Sequence, residues 1–200
     1  MKYLVFDNET TGLGQSAEVI QFSGLLLDEK LKLQRLINFY CYTQEEMEPK
    51  AFETHKLSHR YLMEQSGGKT FEDYFLELVP KEKDLTWIAY NVSYDMRVIN
   101  NTLTRNGLPA YNFGKTTALL NKTKGIYNFD LMKIIASIYG HAVKLSVAAQ
   151  TLPYSEDRIN SMYKKLLQLA GMSNETTFHN SLYDVLITWF LLGEHRNLCR

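Results

Sequence analysis

Apolar and polar positions fall into a run of strands, followed by strands interleaved with helices. Lys2-Tyr3-Leu4-Val5-Phe6-Asp7 is almost continuously apolar and predicts a buried first strand over residues 2–7. Val19 to Leu27 and Lys32 to Tyr42 predict two more, joined by the charged turn Asp28-Glu29-Lys30, so that the first three strands form an antiparallel meander. Ser58 is placed to cap a short helix through Gln65, and Thr70 another from Phe71 to Val79, closed by Pro80. Thr86 to Tyr90 predicts a short apolar strand, and Ser93 to Asn106 a helix stopped by Gly107 and Pro109. Residues 110–125 are polar and irregular, as in a flexible loop, and Ile126 to Phe129 predicts a short strand. Helices follow over Asp130–Tyr139, Leu145–Leu152, Glu156–Ala170 and Ser181–Leu192, broken by Gly140, Pro153, Gly171 and Gly193. The last is apolar nearly all round, which places it against the sheet. This order predicts an α/β fold, a mixed sheet flanked by helices.

With 200 residues, 45% of them hydrophobic, the chain suits a single domain, 1–200, whose core spans about residues 2–192. Lys+Arg and Asp+Glu both number 22, so net charge points to no partner. Charge distribution says more: Arg97, Arg105, Lys115, Lys122, Lys124, Lys133 and Lys144 face only one acid, Asp130, between residues 97 and 151. That stretch is either a surface for a polyanion or an ordinary solvated face. Cys41 and Cys199 show no disulfide or zinc spacing and fit a reducing cytoplasm, the expected location. A strand begins almost at once and the longest apolar stretch, Val185 to Leu192, is core-helix sized, so neither signal peptide nor membrane span is expected.

The chemistry concentrates in four acids. Asp7 and Glu9 are two apart at the end of the first strand and share one face. Two such carboxylates repel each other and are costly to desolvate, and no Arg or Lys lies nearby in sequence, so a divalent cation is the economical partner. Oxygen-only ligands favour Mg²⁺ or Mn²⁺ over Zn²⁺. Asp95 and Asp184 each lie in the first turn of a helix with a buried face, where the dipole tolerates a carboxylate. Converging on the Asp7/Glu9 strand, the four would bind two cations, an arrangement suited to in-line phosphoryl transfer. His179, five residues before Asp184, would reach the attacking water from a loop, and an unperturbed pKa of roughly 6.5 suits a general base. Taken singly, Asp95 and Asp184 are ordinary helix-start acids and His179 an ordinary surface histidine; only their register together lifts them above that.

Asp7-x-Glu9-Thr10-Thr11-Gly12, Asn91-x-x-x-Asp95 and His179-x-x-x-x-Asp184 together resemble the three motifs of the DEDDh 3′–5′ exonucleases, a family that includes the proofreading subunit of bacterial DNA polymerase III, oligoribonuclease and ribonuclease T. The resemblance runs from Lys2 to about Leu192. It implies a ribonuclease H-like fold with a mixed five-stranded sheet, an antiparallel meander first and parallel strands after it. It also implies two Mg²⁺ or Mn²⁺ ions on Asp7, Glu9, Asp95 and Asp184, and His179 as general base. Thr10 and Leu13 fall where the family contacts the terminal nucleotide, Tyr94 falls on the aromatic before the second-motif Asp and is a further substrate-cleft candidate, and His55-Lys56-Leu57 resembles a segment lining the family's substrate cleft. The sister group carries Tyr where this chain has Asn180, so the His version applies.

The implied activity is hydrolysis of terminal phosphodiesters at single-stranded 3′ ends to nucleoside 5′-monophosphates. DNA is favoured over RNA by the Asp-x-Glu-Thr-Thr-Gly form. The alternatives are an exoribonuclease trimming RNA or short oligoribonucleotides, and a catalytically silent nucleic-acid-binding module. The chain ends 16 residues after Asp184, which favours a free-standing nuclease, or one recruited through another surface, over a polymerase subunit. Three positions depart from the family. Asn8 replaces an apolar residue and, by strand alternation, turns away from Asp7 and Glu9, so its expected effect is on packing. Tyr90 replaces a His, and Lys56 a Gly. The segment from Pro153 to Ser173 is longer than in compact members and is expected to serve specificity or interaction.

Overall fold

The first three strands are β1 (Lys2–Thr10), β2 (Val19–Leu27) and β3 (Leu33–Tyr40), paired antiparallel in sequence order as the alternation predicts. The protein is described here by a computed structural model covering residues 2–120, 124–172 and 180–199. Three short helices follow, α1 (Pro49–His55), α2 (His59–Ser66) and α3 (Phe71–Leu78). Ser58 caps α2 by accepting the Tyr61 N–H, and at α3 the Thr70 N–H and hydroxyl both donate to Asp73 Oδ2, each over 3.0 Å. Then come β4 (Leu85–Ala89), α4 (Val92–Arg105), β5 (Lys115–Thr116), β6 (Ile126–Asp130), α5 (Leu131–Tyr139), α6 (Leu145–Ala149), α7 (Glu156–Leu169) and α8 (Ser181–Glu194).

The strands form one mixed sheet in the order β3-β2-β1-β4-β6-β5, in which the β1–β4, β4–β6 and β6–β5 pairs are parallel. Six strands stand where five were expected. The sixth, β5, arises within the stretch expected to be a loop, and two residues carry no readable period. Its Thr116 hydroxyl donates to Asn128 Oδ1 on β6 over 2.9 Å. Helix α1 was also unexpected; Pro49 in its first turn is the signal that marks it. Helix α8 continues through Gly193 to Glu194.

Side chains of β1 alternate between two helical layers. Tyr3 and Val5 pack with Leu182, Val185 and Leu186 of α8, whereas Leu4 and Phe6 pack with Phe75 of α3 and Val98 and Ile99 of α4. Burying both faces of β1 explains why its sequence reads as continuously apolar. The parallel pairing of β1 with β4 ends at Val5 opposite Ile88, yet β1 remains paired with β2 as far as Thr10 opposite Val19, past a bulge after Glu9. Residues 6–10 therefore outrun their parallel neighbour. The gap opens beyond the carboxyl end of β4, where an α/β sheet characteristically receives its ligand. Among the described residues no helix is long and apolar enough to cross a membrane.

Candidate active site

Alternation along β1 sends Asp7 and Glu9 to the layer holding α8, whose first turn carries Asp184. The start of α8 is fixed to the sheet by buried polar contacts. Asn180 Oδ1 accepts the Leu182 N–H over 3.1 Å, and the hydroxyls of Ser181 and Ser23 lie 2.7 Å apart. Ser23 is the β2 residue directly opposite Asp7. Its hydroxyl also donates to Asn38 Oδ1 on β3 over 2.6 Å, and Gln21 Nε2 donates to the same oxygen over 3.2 Å. With the helix start so held, one carboxylate oxygen from each of Asp7, Glu9 and Asp184 lies within 4.8 Å of the others.

Asp95 arrives from the opposite layer, on the first turn of α4, and lies outside that group of three. Asn8 Nδ2 donates to Asp95 Oδ1 over 3.0 Å. Alternation does turn Asn8 away from Asp7 and Glu9, but toward the fourth acid. This contact is what sequence reasoning missed when it gave Asn8 a packing role. Parity gave half of the signal: a residue between Asp7 and Glu9 on β1 faces the opposite layer, but parity alone does not tell that α4 brings Asp95 there.

Burial pushes the Asp7 carboxyl well above the usual carboxylate range, and the charges of Asp95, Asp184 and Glu9 add to it. Burial likewise raises Glu9, helped by Asp184 and Asp95. Asp95 is pushed up to about 7 by burial, against the hydrogen bond from Asn8, which favours its charged form. Among the described residues no Lys or Arg forms an ion pair with Asp7 or Glu9. Clustered, buried carboxylates that raise one another's proton affinity call for an external positive charge, and an all-oxygen donor set fits a hard divalent cation.

Beside the acids lies a cleft of about 270 Å³, lined by Glu9, Thr10, Leu13, Lys50, His55 and Tyr94 among others. It contains all four residues expected to contact substrate. The Thr10 and Tyr94 hydroxyls are 2.8 Å apart, and both reach the Gly12 carbonyl, at 2.8 and 2.9 Å. Leu13 is 75% exposed at the loop tip, and its carbonyl accepts from Arg97 Nη2 over 3.3 Å. Glu48 fills the space over Gly12, where an added Cβ would lie 2.1 Å from its carboxyl carbon. The Leu57 N–H donates to His55 Nδ1 over 3.0 Å, so a neutral His55 ring carries its proton on Nε2. A larger hollow of about 600 Å³, bounded by Glu18, Glu45 and Arg105, contains none of the site residues. His179 lies outside the described residues.

A family model for the exonucleases, RNase T type, matches residues 4–192. No curated protein matches the sequence. Among solved structures, exonuclease I of E. coli in complex with a dA16 oligonucleotide is 18% identical, with a TM-score of 0.64 over 98% of this chain and 41% of that one. The zinc-bound form of the E. coli exonuclease I–ssDNA complex is 19% identical, with a TM-score of 0.65 over 98% and 40%. Exonuclease X in complex with 5′ overhanging duplex DNA is 16% identical, with a TM-score of 0.57 over 98% and 91%. The chain thus spans about two fifths of exonuclease I and nearly all of exonuclease X. It belongs to the exonuclease family, with the motif order of the DEDDh 3′–5′ type.

Proposed function

We propose that this domain hydrolyses the terminal phosphodiester of single-stranded 3′ ends, releasing nucleoside 5′-monophosphates, with DNA as the preferred substrate. The carrying observation is the convergence of Asp7, Glu9 and Asp184 within 4.8 Å, next to a cleft of nucleotide size. With Asp95, these residues hold two divalent cations, Mg²⁺ or Mn²⁺; four carboxylates match the charge of two such ions. When bound, the cations supply Lewis acidity at the scissile phosphodiester. His179 accepts the proton of the attacking water. Thr10, Leu13, His55 and Tyr94 seat the terminal nucleotide through stacking and backbone-directed contacts that leave base identity unread. A paired end must fray before its last phosphodiester reaches the acids, hence the single-stranded preference. One similar structure holds a dA16 oligonucleotide and another ssDNA, which supports DNA over RNA.

Incubating a 3′-labelled oligonucleotide with the protein and Mg²⁺ tests the reading. Labelled mononucleotide is expected, and is lost in EDTA and in Asp7→Ala. Metal-independent binding without cleavage would instead identify a silent nucleic-acid-binding module. Matched RNA is expected to be the poorer substrate.

A further inference from the structure

We propose that Asn8 is the positioning residue of Asp95, fixing one oxygen of that carboxylate so that the other is presented to a cation. The inference rests on the metal-dependent reading of the site given above. Asn8 is 7% exposed and lies between Asp7 and Glu9 on β1, while Asp95 reaches it from α4 across 87 positions of sequence. An ionised carboxylate only accepts, so the amide must turn its Nδ2 toward Asp95, and the 3.0 Å contact fixes both side chains. Asp95 Oδ1 is thereby committed, and the backbone N–H groups of Asn8 and Asp95 also hydrogen-bond the same carboxylate.

The other half of the amide points to the same role. Asn8 Oδ1 is buried and meets no donor among the described residues. A buried acceptor without a donor is destabilising, and an apolar side chain of the same shape would avoid that cost. Packing alone therefore favours an apolar residue here; what Asn8 adds is its bond to Asp95. Because Asn8 sits between two of the acids, the strand that carries Asp7 and Glu9 also sets the orientation of the one acid supplied by the opposite helical layer. Partners of this kind commonly alter metal affinity without touching the metal.

The test is a Mg²⁺ titration of exonuclease activity, with Mn²⁺ binding by calorimetry, on wild type, Asn8→Leu, Asn8→Asp, Asp95→Ala and the Asn8→Leu/Asp95→Ala double variant. Circular dichroism and thermal melting verify the fold. Asn8→Leu is expected to raise the half-saturating Mg²⁺ concentration on the order of tenfold. Asn8→Asp, which replaces the donor by an acceptor, is expected to raise it further. In the Asp95→Ala background Asn8→Leu should change nothing more, because its effect passes through Asp95. An unshifted Mg²⁺ curve in a folded Asn8→Leu or Asn8→Asp protein overturns the proposal, and so does an equal effect of Asn8→Leu with and without Asp95. If wild type binds Mn²⁺ but cleaves nothing, the exonuclease reading fails and the calorimetric comparison still decides the role of Asn8.

Discussion

Ser23 on β2, the residue paired with Asp7 across the β1–β2 ladder, and Ser181 on α8 place their hydroxyls 2.7 Å apart. Through this contact and the Asn180 cap, the sheet sets the position of the helix turn that carries Asp184. Asn180→Ala should cost about 1 kcal/mol of stability, as loss of an N-cap does. Activity at saturating metal should fall more than that loss implies, because Asp184 shifts with the helix start. Urea denaturation paired with turnover measurements checks both; full turnover in a destabilised variant would separate the cap from the site.

Metal-free protein should lose stability as pH rises. Asp7, Glu9 and Asp95 all hold protons more tightly in the folded chain than free carboxylates do, Asp95 up to about 7. An unfolded Asp titrates near about 3.9. Between those values the folded state binds protons that the unfolded chain has released, so stability is greatest on the acid side and declines toward pH 7. In EDTA the melting temperature should drop between about pH 5 and about pH 8. Mg²⁺ or Mn²⁺ should restore it at the higher pH and change little at the lower, since a cation binding only the folded state stabilises it. Scanning fluorimetry with and without metal reads this, and Asp95→Asn should flatten part of the EDTA profile.

Tyr94→Phe removes a hydroxyl that meets both Thr10 and the Gly12 carbonyl. Losing one such bond is worth about 1 kcal/mol. Because it tethers the loop that walls the cleft, the expected effect is a roughly fivefold rise in KM, with kcat nearly retained. A fall in kcat at constant KM would place Tyr94 with the reacting atoms instead.

Lys56 ends α1 in the left-handed region, at φ 61. That conformation costs a residue with a Cβ roughly 1–2 kcal/mol, which glycine avoids, although glycine loses more backbone entropy on folding. Lys56→Gly should therefore stabilise the domain by about 0.5–1 kcal/mol. Its contact with Phe52, 6.0 Å from ammonium to ring centroid, is too long to outweigh that gain. Urea midpoints of the two proteins give the comparison.

Strand period two put Asp7 and Glu9 on one face, and the helix starts of Asp95 and Asp184 were marked by their neighbours, so all four acids were legible in the sequence. How they divide between layers was not. The Asn8–Asp95 bond depends on α4 docking over the end of β1, which no local pattern encodes. Strand β1 was read as ending at Asp7 because polar residues follow; the backbone continues pairing with β2 through Thr10 regardless of their polarity. Helix α1 went unseen because His55 is the only buried residue among its seven, which leaves no apolar period to detect.

Both acids of β1 face the α8 layer with Asp184, while Asp95 comes from the α4 layer, so the four proposed ligands come together only when both layers are docked. A chain with only the α8 side assembled would lack Asp95, and one with only the α4 side would lack Asp184. On the function proposed above, nuclease competence would be a late property of folding, and a partly folded molecule should be harmless to nucleic acid it meets.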